Sequence, residues 1–219
     1  MKTIIAPSLL ACDFLNIESE LKHFEGQDDF WFHLDIMDGH FVPNLTFGHP
    51  IISLINKKTT IPLDAHLMVS NPEFYIDTFS DLGIHNLTWH YEASIENTLS
   101  LIEKAKKNYS SVGISIKPKT KIESVSLEIL KNIDLLLIMS VEPGFGGQKF
   151  IEETYSRIKF FKGLREKHSL SFQIQIDGGV KDSNAKELLE AGADNLVAGS
   201  YVFSANEGEY INKVNSLRL

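Results

Sequence analysis

Long apolar runs are missing from this chain. No stretch approaches the roughly 20 residues that a helix needs to cross a bilayer, so no membrane-spanning helix and no membrane partner are expected. Cysteine is nearly absent: Cys12 stands alone, which excludes an internal disulfide framework and fits a reducing, cytoplasmic setting. Positive charge is in deficit, since 21 Lys and Arg against 29 Asp and Glu leave a formal net charge of −8. Nucleic acids and anionic membrane surfaces both need a basic footprint, so neither is an expected partner. Low-complexity segments and Pro/Gly-rich linkers are lacking too, and a single domain over residues 1–219 is expected. Leu9-Leu10-Ala11-Cys12 resembles a lipoprotein cleavage site, but the apolar stretch before it is very short and broken by Pro7, so the chain is expected to begin its mature form here.

What is present is repetition. With 43% hydrophobic and 23% charged residues, the composition is that of a folded globular chain. Apolar, often β-branched runs fall near residues 3–8, 31–37, 61–68, 86–90, 111–116, 133–140, 172–177 and 194–199. Their spacing of about 27 residues is the size of one strand-plus-helix unit. Runs such as Leu135-Leu136-Leu137-Ile138-Met139 are continuous rather than alternating, as in parallel strands covered on both faces.

Between them the period turns helical. Ile151, Tyr155, Ile158 and Phe161 share one face; Ile95, Leu99 and Ile102 share another. Asn71-Pro72, Ser94 and Asp182 are expected helix starts, and Gly26, Gly83 and Gly192 are expected stops. Eight such units predict an α/β fold of the closed (β/α)8, TIM-barrel type. An open doubly wound sheet is the alternative, usually with fewer units.

In a barrel the chemistry sits at the carboxyl ends of the strands. The second run ends His33-Leu34-Asp35-Ile36-Met37-Asp38-Gly39, where His33 and Asp35 share a strand face. The third run carries His66 and the seventh ends at Asp177. Two imidazoles and two carboxylates around one mouth suit Zn²⁺, Fe²⁺, Mn²⁺ or Co²⁺ better than Ca²⁺. Asp35 and Asp177 interrupt apolar strands, where an unpaired carboxylate would cost several kcal/mol, so a shared divalent metal ion is an expected partner for them. His85 and His90, isolated histidines in a strand context, are expected to be structural or solvated; His23, His40, His49 and His168 are expected to be structural. Glycines follow three successive strands: Gly144, Gly146 and Gly147 flanking Phe145, then Gly178-Gly179, then Gly199-Ser200. Such loops offer backbone N–H groups to a phosphate, which a net acidic protein can therefore still bind.

Together these segments resemble the ribulose-phosphate 3-epimerases. The likeness runs from Ala6-Pro7-Ser8 to Val202-Phe203, through the stretch from His33 to Gly48, Leu63-Asp64-Ala65-His66-Leu67-Met68, the stretch from Met139 to Gln148, Ile176-Asp177-Gly178-Gly179 and Val197-Ala198-Gly199-Ser200. It implies an enzyme that interconverts D-ribulose 5-phosphate and D-xylulose 5-phosphate in the pentose phosphate pathway. It also implies one divalent metal on His33, Asp35, His66 and Asp177, with Asp35 and Asp177 as the acid/base pair. Ser8 and His66 would meet the substrate, with Met37, Met68 and Met139 beneath it. Apart from the resemblance, the glycines flanking Phe145 predict a loop that closes over the substrate. Family members are homo-oligomers of varied size, so self-association is implied as well. Lys117 departs from the asparagine common at that position.

Inverting C3 through an enediolate needs a proton removed on one face and returned on the other, hence two carboxylates, one protonated and one ionised. Three rivals remain: an epimerase of a six-carbon ketose phosphate such as D-allulose 6-phosphate, a non-catalytic phosphosugar-binding barrel, and a metal-free phosphate-binding barrel of amino-acid biosynthesis.

Overall fold

Each expected run becomes a strand. They are β1 (Ile4–Ala6), β2 (Phe32–Met37), β3 (Leu63–Met68), β4 (Ile84–His90), β5 (Ser111–Ile116), β6 (Leu135–Met139), β7 (Gln173–Asp177) and β8 (Asn195–Val197). The computed structural model describes residues 2–218; Met1 and Leu219, the ends of the expected 1–219 unit, lie outside the described residues. All neighbouring strands pair in parallel, in the order β1-β8-β7-β6-β5-β4-β3-β2. Bridges between Ile5 and Phe30 and between Ser8 and His33 bring the first strand against the second and close the ring.

Around it lie α1 (Ile17–Lys22), α2 (His49–Asn56), α3 (Pro72–Thr78), α4 (Thr98–Ala105), α5 (Leu127–Asn132), α6 (Thr154–Lys167), α7 (Asp182–Ala191), the short α8 (Ser200–Phe203) and α9 (Tyr210–Asn215). No helix among the described residues is long and apolar enough to cross a membrane.

The apolar runs divide by parity, as a pleated strand requires. In β6, Leu135, Leu137 and Met139 pack inside the barrel with Ala6, Trp31, Val141 and Val197. Leu136 and Ile138 pack outward into the larger core against the helices. The inside is not wholly apolar. Asp64, Asn86, Thr88, Ser115, Gln175 and Asn195 are completely buried, and the amide of Gln175 on β7 donates across the barrel to Asp64 Oδ2 on β3 at 2.6 Å.

Helix punctuation follows expectation in part. Asn71 Oδ1 accepts from Phe74 N–H and Pro72 opens α3, and Gly192 closes α7 at φ +124°; Gly26 and Gly83 have positive φ but do not stop the helices before them, since α1 already ends at Lys22 and α3 at Thr78. Other expectations are corrected. Ser94 is not the cap of α4, which starts at Thr98; its hydroxyl instead accepts from the buried Trp89 indole N–H at 3.0 Å. Ile95 therefore precedes the helix and is exposed, Leu99 faces solvent, and the buried face is Thr98, Leu101, Ile102 and Ala105. Asp182 is the first residue of α7 rather than its cap, and Asn184 Oδ1 reaches back to Lys181 N–H at 2.9 Å. Ile151 likewise lies before α6, whose buried residues are Thr154, Ile158 and Phe161.

Gly113 in β5 lets two strands approach. A Cβ there would stand 2.3 Å from Thr88 Oγ1 and 3.0 Å from the Leu135 carbonyl oxygen, and Thr88 is itself held by Asn86 Nδ2 at 3.0 Å. Gly113→Ala is expected to destabilise the barrel by about 1–3 kcal/mol, the cost of overpacking. Denaturant unfolding should show it as a lower midpoint with an unchanged slope.

Candidate active site

The register of the sheet puts Asp35 beside His66 and His33 beside Asp64. All four point into the barrel, because residues two apart share a strand face. His33 Nε2 lies 3.5 Å from Asp35 Oδ1 and 3.9 Å from Asp177 Oδ2. His66 Nδ1 lies 3.5 Å and 3.7 Å from the same two oxygens. The four candidate ligand atoms fall within 4.8 Å of one another. Both histidines are completely buried, and His33 Nε2 and His66 Nδ1 have no hydrogen-bond partner among the described residues. Buried polar atoms are rarely left bare.

A divalent ion fits this arrangement. In a tetrahedral site with bond lengths of about 2.1 Å, atoms sharing one ion stand about 3.4 Å apart, and the four imidazole–carboxylate spacings of 3.5, 3.9, 3.5 and 3.7 Å are slightly wider than this. Two carboxylates also match its charge.

The supports of this cluster are less visible in sequence. His33 Nδ1 meets Asp64 Oδ2 at 2.7 Å, and Asp64 also accepts from Asn86 and Gln175, each at 2.6 Å. Since a carboxylate only accepts, His33 carries a proton on Nδ1, which leaves Nε2 as its candidate ligand atom; burial acts against a charge on this ring, but Asp35 and Asp64 outweigh it and raise His33 well above the ordinary imidazole range in the metal-free protein. Ser8 Oγ donates to Asp35 Oδ2 at 2.5 Å. Ser140 Oγ donates to the carbonyls of Asp177 and Gly178 at 2.8 and 2.6 Å, fixing the end of β7.

Of the two expected places for His90, structural or solvated, the structure has the first: it is fully buried, with Nε2 3.0 Å from His66 Nε2 and Nδ1 3.1 Å from Glu92 Oε2. His85 is half-buried against Trp31. His23, His40, His49 and His168 stand outside the cluster, as expected.

Electrostatics separates the two acids. Burial and the charge of Asp35 push Asp177 up to about 7. Burial opposes ionisation of Asp35, but the neighbouring imidazoles outweigh it and hold Asp35 well below the usual carboxylate range. Burial pushes His90 down to about 4. Burial also acts against Glu92, yet His90 and its other hydrogen-bond partners bring it to about 2.

Above the cluster opens a cavity of about 330 Å³. Ser8, Asp35, Asp177 and the three methionines Met37, Met68 and Met139 form its deep part, while His33 and His66 lie beneath its lining. Its rim brings together the glycine loops: Gly144 to Gly147 with Phe145, Gly178-Gly179, and Gly199-Ser200. The N–H groups of Gly147, Gly179 and Ser200 donate to no backbone acceptor among the described residues. Two residues outside the expected set fasten the first loop. Asn44 Nδ2 donates to the Gly144 carbonyl at 2.8 Å, and Gln148 Nε2 donates to the carbonyls of Glu142 and Phe145 at 2.7 and 2.9 Å. Phe145 itself is half exposed at the mouth.

Solved structures share the fold at low identity. The tryptophan synthase α-subunit of Pyrococcus furiosus superposes with a TM-score of 0.67 at 15% identity, covering 99% of this chain and 97% of that one. Sequence relatives are much nearer. A ribulose-phosphate 3-epimerase of Mycobacterium tuberculosis is 42% identical over 204 residues, 93% of this chain and 87% of that protein. One from Aquifex aeolicus is 41% identical over 220 residues, covering 99% and 97%. The rice protein named as the cytoplasmic isoform is 42% identical over 211 residues, covering 95% and 91%. The model of the ribulose-phosphate 3-epimerase family matches residues 4–203, a span that takes in every strand, both acids and all three glycine loops: the chain belongs to the ribulose-phosphate 3-epimerase family.

Proposed function

We propose that this enzyme interconverts D-ribulose 5-phosphate and D-xylulose 5-phosphate by two-base proton transfer at C3, in the pentose phosphate pathway of the cytoplasm. One observation carries the reading. Asp35 and Asp177, unlike in their hold on a proton, face one cavity below a rim of glycine N–H groups, and His33 Nε2 and His66 Nδ1 stand close to both acids beneath its lining.

Around the ring, β2 and β7 are separated by β1 and β8 on one side and by β3 to β6 on the other. Carboxylates from such strands can address opposite faces of one carbon. One ionised group takes the C3 proton while the other, protonated, delivers one to the far face. Ser8 orients Asp35 by donating to its Oδ2. Met37, Met68 and Met139 give the planar intermediate a polarizable, dry floor. The Phe145 loop closes over the substrate and keeps water out. The glycine loops hold the phosphate through backbone N–H groups.

His33, Asp35, His66 and Asp177 would hold one divalent ion of the Zn²⁺, Fe²⁺, Mn²⁺ or Co²⁺ type. When bound, such an ion supplies Lewis-acid stabilisation of the negative charge that develops on the sugar oxygens. The protein acts as a homo-oligomer; exposed Phe14, Leu15 and Leu54 around the groove between α1 and α2 support self-association.

The test is a parallel epimerisation assay on ribulose 5-phosphate and allulose 6-phosphate, each with and without chelator. Faster turnover of the five-carbon sugar is expected, together with reversible loss of activity on chelation. Preference for the six-carbon sugar would replace the substrate, and no epimerisation of either would sink the reading.

The phosphate role has its own test. A Cβ on Gly179 would stand 2.9 Å from Phe150 N, at a φ of +66°. Gly179→Ala is therefore expected to displace that N–H and raise KM about 10- to 100-fold, the worth of one hydrogen bond to a charged group. Steady-state kinetics should show a smaller change in kcat.

A further inference from the structure

The hydrogen bonds around His90 and Glu92 run in one direction. Glu92 Oε1 accepts from Lys117 N–H at 2.8 Å and from the Thr120 hydroxyl. The loop 117–120 is itself pinned by Arg157 of α6. This guanidinium donates to the carbonyls of Lys117, Pro118 and Thr120 at 3.1, 3.0 and 2.8 Å. Glu92 Oε2 faces His90 Nδ1, so His90 must carry its proton there, because a carboxylate has only lone pairs to offer. A neutral His90 then has only a lone pair on Nε2. At 3.0 Å from it, His66 Nε2 must be the donor. His66 is left with Nδ1 bare, and Nδ1 is the atom that faces Asp35 and Asp177. Phe41, 4.8 Å from the His90 ring and covered by Lys117 Nζ at 3.7 Å, shields this chain from solvent.

We infer that Glu92 and His90 are positioning residues, which fix the tautomer and ring orientation of His66 so that its Nδ1 is presented as a metal ligand. The two histidines of the cluster are thus set up differently. His33 is held directly by a carboxylate, whereas His66 is held by a carboxylate acting through a second imidazole. This arrangement ties the ligand to a loop and a helix on the outside of the barrel. Partners that orient metal-binding histidines are typically worth about 10- to 100-fold in metal affinity. The inference rests on the metal-binding reading of the four-residue cluster.

Glu92→Gln is the discriminating variant, since it keeps size and removes one acceptor. If the new NH₂ faces His90 Nδ1, it reverses the relay and puts a proton on His66 Nδ1. If it takes the other position, it opposes Lys117 N–H. His90→Phe, which removes the relay while keeping an aromatic ring against Phe41, is the second variant. Two readouts apply to wild type and variants alike: Zn²⁺ affinity by competition with a chromophoric chelator, and the histidine tautomers of metal-free protein from ¹⁵N NMR.

Wild type is expected to show His66 as the Nε2–H tautomer. Both variants should bind Zn²⁺ about 10- to 100-fold more weakly, and Glu92→Gln should shift the His66 ¹⁵N pattern. Variants that lose only thermal stability, with wild-type Zn²⁺ affinity and tautomer, would overturn the inference. So would an Nδ1–H tautomer of His66 in wild type. A wild type without measurable Zn²⁺ affinity would bring down the reading of the cluster, while the tautomer still decides the relay.

Discussion

Replacing Asp177 by Asn is expected to cut turnover about 10⁴-fold, at the upper end of what one acid/base group contributes, because the substitution also weakens a candidate metal ligand. The informative result is asymmetry. Inversion at C3 needs both carboxylates, but exchange of the C3 hydrogen with solvent needs only one. With Asp177 gone, Asp35 can still remove the proton from the epimer whose C3–H faces it, and return a solvent-derived one to the same face. In D₂O, Asp177→Asn should therefore label one epimer slowly and leave the other unlabelled, and Asp35→Asn should do the reverse. Near wild-type epimerisation by either variant would end the two-base assignment. Symmetric residual labelling would show that a single group serves both faces.

The same variant should not unfold the protein. In the metal-free state Asp177 is pushed up to about 7 by burial and by Asp35, so its folded pKa lies above that of the unfolded chain. Between the ordinary carboxylate pKa and about 7, the folded form binds the extra proton, and stability falls as pH rises through that window. Above it, ionised Asp177 carries its full penalty beside Asp35. An asparagine removes that penalty, and metal-free Asp177→Asn is expected to melt at or above wild type at pH 8. Scanning calorimetry at pH 5 and pH 8 checks the sign, since any advantage over wild type should grow with pH.

What could be seen in the sequence, and what could not, divides by range. A parallel strand buried on both faces must be apolar along its length, so Leu135 to Met139 announces β6 without any partner. His33 and Asp35 declare a common face by being two residues apart. Asp64 and Asp177 look alike as acids in apolar strands, yet one supports the cluster and the other belongs to it. That distinction depends on the register of β2 against β3 and on a hydrogen bond from Gln175 across the barrel. His90 was equally opaque, because its partner His66 lies on the neighbouring strand. Local signals misled where a side chain had found a distant partner. Ser94 has the chemistry of a helix cap, but the Trp89 indole takes its hydroxyl.

Asp64 carries the second large expected effect, and here stability is what moves most. Three buried donors converge on it: His33 Nδ1, Asn86 Nδ2 and Gln175 Nε2. Burial works against its ionisation, but His33 and the two amides outweigh this and hold it below the usual carboxylate range. Asp64→Ala strands all three donors in the barrel interior, and breaking a buried charged pair from one side typically costs about 3–5 kcal/mol. Asp64→Asn should cost much less. Its carbonyl oxygen can still receive His33 and Gln175, and its NH₂ can be met by Asn86 turning its own amide, with the Ser111 hydroxyl reorienting in step. Both variants remove the negative charge behind His33, so both should weaken metal binding, by about 10- to 100-fold. Denaturant unfolding of the metal-free proteins and Zn²⁺ competition therefore report on separate consequences of one carboxylate. Equal stability loss in the two variants would mean that charge, rather than the count of satisfied donors, governs the barrel interior. Unchanged Zn²⁺ affinity in Asp64→Asn would mean that His33 presents Nε2 without help from its partner.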